Sequence, residues 1–293
     1  MFTALFKTMR PRQWSKNIFV FAALVFDKQL FHVSAFLHTL AGFFLFCLIS
    51  SSVYIFNDLV DIEADRQHPT KKNRPLPSGQ LPVSVAWIAG IALVVITLIL
   101  GFAMDPEFDL VLLAYFLLNL AYSRWLKHIP ILDVLVLAAG FVLRVEAGVS
   151  LIDVQRFSPW LYVVMTLLAL YLGFGKRRAE LALLSNDAGS HRKVLEGYTI
   201  PLLDQYIMIV SGTTIVAYSL YTFSAPNVPA NHSMMLTIPF VVYAIFRYMY
   251  LIEVEHSGGA PEEILLSDRP LQISMLLWAI AVLAVFYLSP LYP

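Results

Sequence analysis

The sequence predicts an all-α polytopic membrane protein, on three observations. Of the 293 residues, 59% are hydrophobic and only 14% charged, with a mean hydropathy of +0.72. A soluble domain carries about 25% charged residues. Apolar runs close to the length that crosses a bilayer recur along the whole chain. Strand-type alternation is absent, which argues against an outer-membrane barrel. The net charge is zero, so the global balance names no partner, and no nucleic-acid partner is expected.

Nine spans are expected, at about 16–31, 34–57, 83–103, 108–122, 131–150, 158–175, 202–223, 235–252 and 270–289. The first is short and is interrupted by Asp27 and Lys28. The second runs without a charge from Ser34 to Phe56. The second, fourth, sixth and eighth each end in a polar cluster. All of the 20 basic residues except Lys28, Arg144 and Arg156 fall on one side of this topology. The positive-inside rule then places the N-terminus and the long polar loops in the cytoplasm. The chain reads as one catalytic domain, 1–293, with no soluble linker or low-complexity tract. Cys47, the single cysteine, lies inside an apolar run and reads as a small buried residue. The basic start, Met1 to Lys16, has no small-residue cleavage site and is expected to be retained.

The chemistry gathers at the ends of the spans. Asn57, Asp58, Asp61 and Asp65 follow the second apolar run. On a continuous helix, positions i, i+3 and i+7 lie within roughly 60° of one another. Three carboxylates on one face repel unless a cation sits between them, and a hard ion such as Mg²⁺ shared with a diphosphate fits that need. Acids at the mouth of a membrane helix are a functional-site hypothesis by default. Lys71, Arg74 and the breaker run Pro75-Leu76-Pro77-Ser78-Gly79 follow, with cations for phosphate oxygens and a chain that folds back. A solvated positive-inside loop would explain the bases but not the acids.

Tyr122, Ser123, Lys127 and Asp133 surround the turn between spans four and five. Asp133 reads equally as a helix cap. Arg144, deep in span five, is expected to face a cavity rather than lipid. Lys176-Arg177-Arg178 closes span six and reads either as a phosphate-binding wall or as a complement to the helix dipole and anionic lipid. Trp14 and Lys16 read as an interface anchor or as a lipid-phosphate site. The loop from Gly258 to Arg269 is charged at both ends and unreadable from spacing.

Asn57-Asp58-x-x-Asp61-x-x-x-Asp65 and Tyr122-Ser123-x-x-x-Lys127 resemble the motifs of the UbiA-type intramembrane prenyltransferases. That resemblance implies a UbiA-like nine-helix bundle with cytoplasmic cap loops over the site. It also implies a diphosphate held through Mg²⁺ by Asp58, Asp61 and Asp65, with Asn57, Asp58 and Asp61 at the catalytic centre. The superfamily's second motif, Asp-x-x-x-Asp near the end of helix six, is replaced here by Lys176-Arg177-Arg178-Ala179-Glu180. Cations at that point favour direct contact with a phosphate that carries no metal of its own.

Five further stretches resemble the branch whose members transfer phosphoribosyl to decaprenyl phosphate. They are Arg10-Pro11-x-Gln13-Trp14-x-Lys16-Asn17, His68-Pro69-x-Lys71-x-x-Arg74-Pro75, Lys127-His128-x-Pro130-x-x-Asp133, Lys176-Arg177-Arg178-Ala179-Glu180-Leu181 and Gly259-Ala260-Pro261-Glu262-Glu263. The likeness runs from about residue 10 to 290. It implies phosphoribosyl pyrophosphate (PRPP) as donor, met by Lys71, Arg74, Tyr122, Lys127, Lys176 and Arg177. The acceptor is a polyprenyl phosphate, met by Lys16, Asn17, Asp133 and Arg144. Residence in the plasma (inner) membrane follows, homo-oligomerisation is left open, and the product serves cell-wall arabinan. Prenyl transfer from a diphosphate to an aromatic acceptor is the rival activity. A transporter is the remaining class, disfavoured because the charges gather on one face.

Overall fold

The computed structural model describes residues 1–68, 70–154, 158–184, 193–255, 264–265 and 267–288. Among them every regular element is helical: α1 (Phe2–Thr8), a 3₁₀ segment Pro11–Phe21, α2 (Ala22–Phe26), α3 (Val33–Val60), α4 (Ile62–Gln67), α5 (Val83–Met104), α6 (Pro106–Arg124), α7 (Leu132–Val149), α8 (Pro159–Leu184), α9 (Ile200–Ser224), α10 (Ile238–Glu253) and α11 (Arg269–Tyr287). The helix starts follow local chemistry. Asp105 accepts hydrogen bonds from the Glu107 and Phe108 amides, with Pro106 in the first turn of α6. Thr199 caps α9 and Asp268 caps α11, again with a proline in each first turn.

Among the described residues, six stretches are long and apolar enough, by length and composition, to cross a membrane: those built on α3, α5, α8, α9, α10 and α11. The protein is an integral membrane protein. The expected spans at 108–122 and 131–150 are the single helices α6 and α7, which carry more charge. The expected first span is a correction. Its chain is the 3₁₀ segment Pro11–Phe21 followed by the short α2, not a membrane-length α-helix. The steeper 3₁₀ rise carries those 11 residues about 22 Å. Much of α5 lies bare and apolar, with Trp87, Ile88, Ile99 and Phe102 exposed, as a lipid-facing helix requires.

The chain divides into two compact units. The first comprises Met1–Leu24, Gln29–Ile129 and Leu143–Val154. In it α3 is central, packed by α5, α6 and the 3₁₀ segment, around Val20, Phe46, Ile49, Phe108 and Leu112. Gly148 lets the 3₁₀ backbone press onto α7, since a Cβ there would stand 1.9 Å from the Val20 carbonyl oxygen. The second unit comprises Val25–Lys28, Pro130–Val142 and Gln155–Pro293. In it α8 packs on α9 and α10 on α11, around Tyr171, Phe174, Leu203, Tyr248 and Leu251.

Candidate active site

α3 has 28 residues and is about 42 Å long at 1.5 Å per residue. That exceeds the roughly 30 Å of a hydrocarbon core, and the last turn of α3 carries Asn57 and Asp58. The helix stops at Asp61, whose φ of −93° and ψ of 7° leave the α region, and α4 restarts at once. The Asp61 amide still donates to the Asn57 carbonyl and the Asp65 amide to the Asp61 carbonyl. The break is therefore a kink rather than a loop, and the premise of one continuous helix through the three acids is corrected.

The chain after α4 folds back as expected. Leu76 and Leu81 are buried with Ile55 and Ala86, and Ala4, Leu5 and Met9 of the N-terminal segment pack against them. Gly79 supplies the left-handed turn, at φ +78°. The Ser78 amide donates to the Arg74 carbonyl and the Leu81 amide to the Pro75 carbonyl. These contacts deliver Arg74 to the end of α3.

The acids are held by cations. Arg74 Nη1 lies 2.6 Å from Asp65 Oδ2 and 3.3 Å from Asp58 Oδ1. Arg10 Nη2 donates to the same Asp58 oxygen at 2.5 Å, and its guanidinium lies 4.9 Å from the centre of the Tyr54 ring. Lys71 Nζ is 3.9 Å from Asp65, and Lys127 Nζ donates to Asp61 at 2.6 Å. Ser123 donates to Asn57 Oδ1 at 3.1 Å, beside the half-buried Tyr122. Asp58 and Asp65 are almost fully buried, whereas the Asp61 side chain keeps 29% of its exposure. Thus Asn57, Asp58, Asp61, Asp65, Lys71, Arg74 and Lys127 do come together in the first unit. Among the described residues, no three acids or histidines stand close enough to share a metal ion. The all-oxygen donor set is nonetheless the kind a hard divalent ion takes, and Asp58 and Asp65 already share one positive centre. Nearby His68 is held below the usual histidine range by burial and by the positive charge of Lys71.

Sequence reasoning misses Arg10 as a partner of Asp58. The only signal for it is its place at the head of the Arg10-Pro11-x-Gln13-Trp14 run. Asn17 and Arg144 meet in a second polar cluster of the same unit. Arg144 Nε donates to Asn17 Oδ1 at 2.9 Å and Nη2 to the Tyr115 hydroxyl at 2.9 Å. Asn17 Nδ2 in turn reaches Cys47 Sγ and Ser50 Oγ. Cys47 is buried, as expected. Arg144 also lies over the Phe46 and Tyr115 rings. It faces protein rather than lipid, as its cost in hydrocarbon requires. Lys16 is half-buried next to Asn17.

In the second unit, Arg177 and Asp133 are not laid out as a surface wall. Arg177 Nε donates to Asp133 Oδ2 and Nη1 to Glu180 Oε2, each at 2.6 Å. Asp133 also accepts from the Tyr198 hydroxyl at 2.7 Å, and that hydroxyl accepts from the Ile131 amide at 2.6 Å. Burial and the bond to Asp133 push the Tyr198 phenol up. Arg178 joins Asp204 of α9 and Glu253 of α10. Arg177 and Arg178 each serve two carboxylates and tie elements together. Lys176 is half-buried. The stretch Gly258 to Glu263 lies outside the described residues.

The chain is similar over nearly its whole length to several named proteins. It is 36% identical over 98% of its length to the decaprenyl-phosphate phosphoribosyltransferase of Mycolicibacterium smegmatis, covering 93% of that protein. The protein of that name from Corynebacterium glutamicum is 32% identical, over 98% of this chain and 88% of its own length. The one from Mycobacterium tuberculosis is 34% identical, over 93% and 90%. Among solved structures, a UbiA homolog from Archaeoglobus fulgidus bound to GPP and Mg²⁺ superposes with a TM-score of 0.73 at 20% identity. The match covers 97% of this chain and 99% of that one. This likeness shows the fold. The model of the UbiA prenyltransferase family matches residues 17–261, residues drawn from both units. The chain belongs to the UbiA prenyltransferase family.

Proposed function

We propose that this chain transfers a 5-phosphoribosyl group from PRPP to a polyprenyl phosphate of the decaprenyl type, releasing diphosphate. The observation that carries this reading is the 32–36% identity, over nearly all of the chain, to proteins named decaprenyl-phosphate phosphoribosyltransferase. The replacement of a second acid motif by Lys176-Arg177-Arg178-Ala179-Glu180 supports it, because a prenyl diphosphate with its own metal would meet only Glu180 there, which Arg177 engages.

The diphosphate leaves from C1 of the ribose. Asp58, Asp61 and Asp65 would hold Mg²⁺, which when bound would supply charge neutralisation for that leaving group; the fold neighbours bound to GPP or DMAPP with Mg²⁺ support a divalent ion. Arg74, Lys71 and Lys127 hold the donor's phosphates, Tyr122 lines the donor site and Asn57 is oriented by Ser123. The acceptor phosphate is already largely ionised at neutral pH, since its second pKa is about 6. No side chain is therefore required as a strong base. The protein aligns the two substrates and neutralises charge, as in other phosphate chemistry.

Lys176 contacts a substrate phosphate. Arg177 and Asp133, each saturated by protein partners, position the elements around it rather than touching substrate. Lys16 guides the acceptor headgroup, and Arg144 with Asn17 maintains the polar interior beside it. The whole chain acts as one catalytic domain in the plasma (inner) membrane, with the N-terminus and site in the cytoplasm. The basic-residue asymmetry supports that orientation, and the product feeds cell-wall arabinan.

The test is the mass of the lipid made by membranes holding this protein when given labelled PRPP and decaprenyl phosphate. The expected product is decaprenyl phosphate plus one phosphoribosyl unit, with Mg²⁺ required. Consumption of a prenyl diphosphate by an aromatic acceptor, with PRPP untouched, would replace this reading by prenyl transfer.

A further inference from the structure

Four cations, Arg10, Lys71, Arg74 and Lys127, surround the three acids of the α3–α4 kink. The described cluster therefore carries one positive charge in excess. A divalent ion alone would raise that excess to three, in a place where Asp58 and Asp65 are nearly buried and charge is poorly screened. A diphosphate brings roughly three to four negative charges at neutral pH. Metal and diphosphate together leave the cluster close to neutral.

The geometry agrees with the charge count. Both guanidinia on Asp58 meet the same oxygen, Oδ1, and Arg74 bridges Asp58 to Asp65. A metal ion that takes Asp58 Oδ1, or the Asp65 oxygen that Arg74 holds, has to displace a guanidinium. A cation turned out of a buried pair is costly unless another anion receives it, and an incoming diphosphate is such an anion. Arg10 is also no surface cation that has drifted onto an acid. Its backbone is left-handed, at φ +53°, a region sparsely populated by residues with a Cβ. Its guanidinium stacks on Tyr54, and Leu5 and Met9 just before it pack against the cap-loop leucines. The fold holds Arg10 in place from three sides.

We propose that Arg10 is a positioning residue that serves as the resident counter-ion of Asp58 and makes metal uptake conditional on an incoming diphosphate. The inference rests on the metal–diphosphate reading of this site. It has two consequences. Metal and diphosphate bind cooperatively, so the donor enters together with its metal. Arg10 also turns from carboxylate to phosphate as they enter, which prevents a metal-loaded, donor-free site from forming.

The experiment measures Mn²⁺ bound to the purified full chain by electron paramagnetic resonance, at fixed free Mn²⁺, with and without inorganic pyrophosphate. The wild type should bind Mn²⁺ at least about tenfold more tightly with pyrophosphate than without, within the usual range of coupling between ligands. Arg10→Gln should tighten Mn²⁺ binding without pyrophosphate and so shrink that ratio. Arg10→Lys should restore the ratio, and Arg12→Gln, at an exposed neighbour, should leave it unchanged. Equal metal-alone affinity in wild type and Arg10→Gln, with pyrophosphate-dependent binding intact, would overturn the role of Arg10 alone. No Mn²⁺ binding under either condition would overturn the metal–diphosphate reading and this inference with it.

Discussion

Asp133→Asn separates a structural from a substrate role for the second unit's charges. The substitution keeps the shape of a fully buried side chain and removes its charge. Arg177, 1% exposed, would then be left with Glu180, whose side chain is 25% exposed and partly screened. Removing one partner of a buried ion pair costs about 3–5 kcal/mol. Glu180 retains part of the compensation, so the expected loss is about 2–4 kcal/mol. Tyr198→Phe acts on the same carboxylate, and it also leaves the Ile131 amide without its acceptor. Its cost should be about 1–3 kcal/mol. Because both changes strike one carboxylate, the double variant should lose less than the sum of the two. Stability is read as the unfolding midpoint in mixed micelles titrated with a denaturing detergent, and turnover is measured on the same preparations. A loss under about 1 kcal/mol together with abolished turnover would refute the reasoning, since Asp133 would then be facing substrate.

Four other outcomes are expected. Asp58→Asn and Asp61→Asn should each lower kcat/KM for PRPP by at least about 10²-fold; near-normal turnover with labelled donor would remove them from the machinery. Lys127→Met deletes the 2.6 Å partner of Asp61 and a donor-phosphate cation, and steady-state kinetics should show KM for PRPP rising more than kcat falls. Asp268 is held below the usual carboxylate range, first by the hydrogen bond from Arg247. A depressed folded pKa adds stability that is present above the unfolded value near 3.8 and lost as pH falls through the folded one. Asp268→Asn should therefore remove that acid-sensitive part of the melting profile and cost up to about 1 kcal/mol at neutral pH through the lost Arg247 ion pair. Gly148→Ala drives a Cβ into the Val20 backbone and should cost at least about 1–3 kcal/mol, seen as a lower yield of monodisperse protein.

The membrane class, the eight long helices and the acids of the α3–α4 turn are legible because each rests on local chemistry. An uncharged run of span length has few other folds, and carboxylates at its end are too costly to be idle. The kink at Asp61 is not legible in this way. Spacing places Asp58, Asp61 and Asp65 on one helix face, but α3 ends at Val60 and Asp61 goes to Lys127 while Asp58 and Asp65 share Arg74. The 3₁₀ course of Pro11–Phe21 is equally hidden. Its apolar residues suit either winding, and its close approach to Gly148, far along the chain, is not visible in the local sequence.

Arg10 and the Lys176-Arg177-Arg178 run show the same limit from opposite directions. Arg10 reads as part of a basic N-terminal segment because Asp58 is remote in sequence; only the packing of the N-terminal segment against Leu76 and Leu81 joins them. The run within α8 reads as an open wall of positive charge because Asp133, Asp204 and Glu253 are equally remote. A cation's availability to a substrate depends on the carboxylates that the fold brings to it, and residue type does not reveal them. Once those partners are counted, Arg177 and Arg178 each hold two carboxylates. The loss of a second acid motif in this chain is then partly architectural. Arg177 and Arg178, between Lys176 and Glu180, tie α8 to Asp133 of α7, Asp204 of α9 and Glu253 of α10.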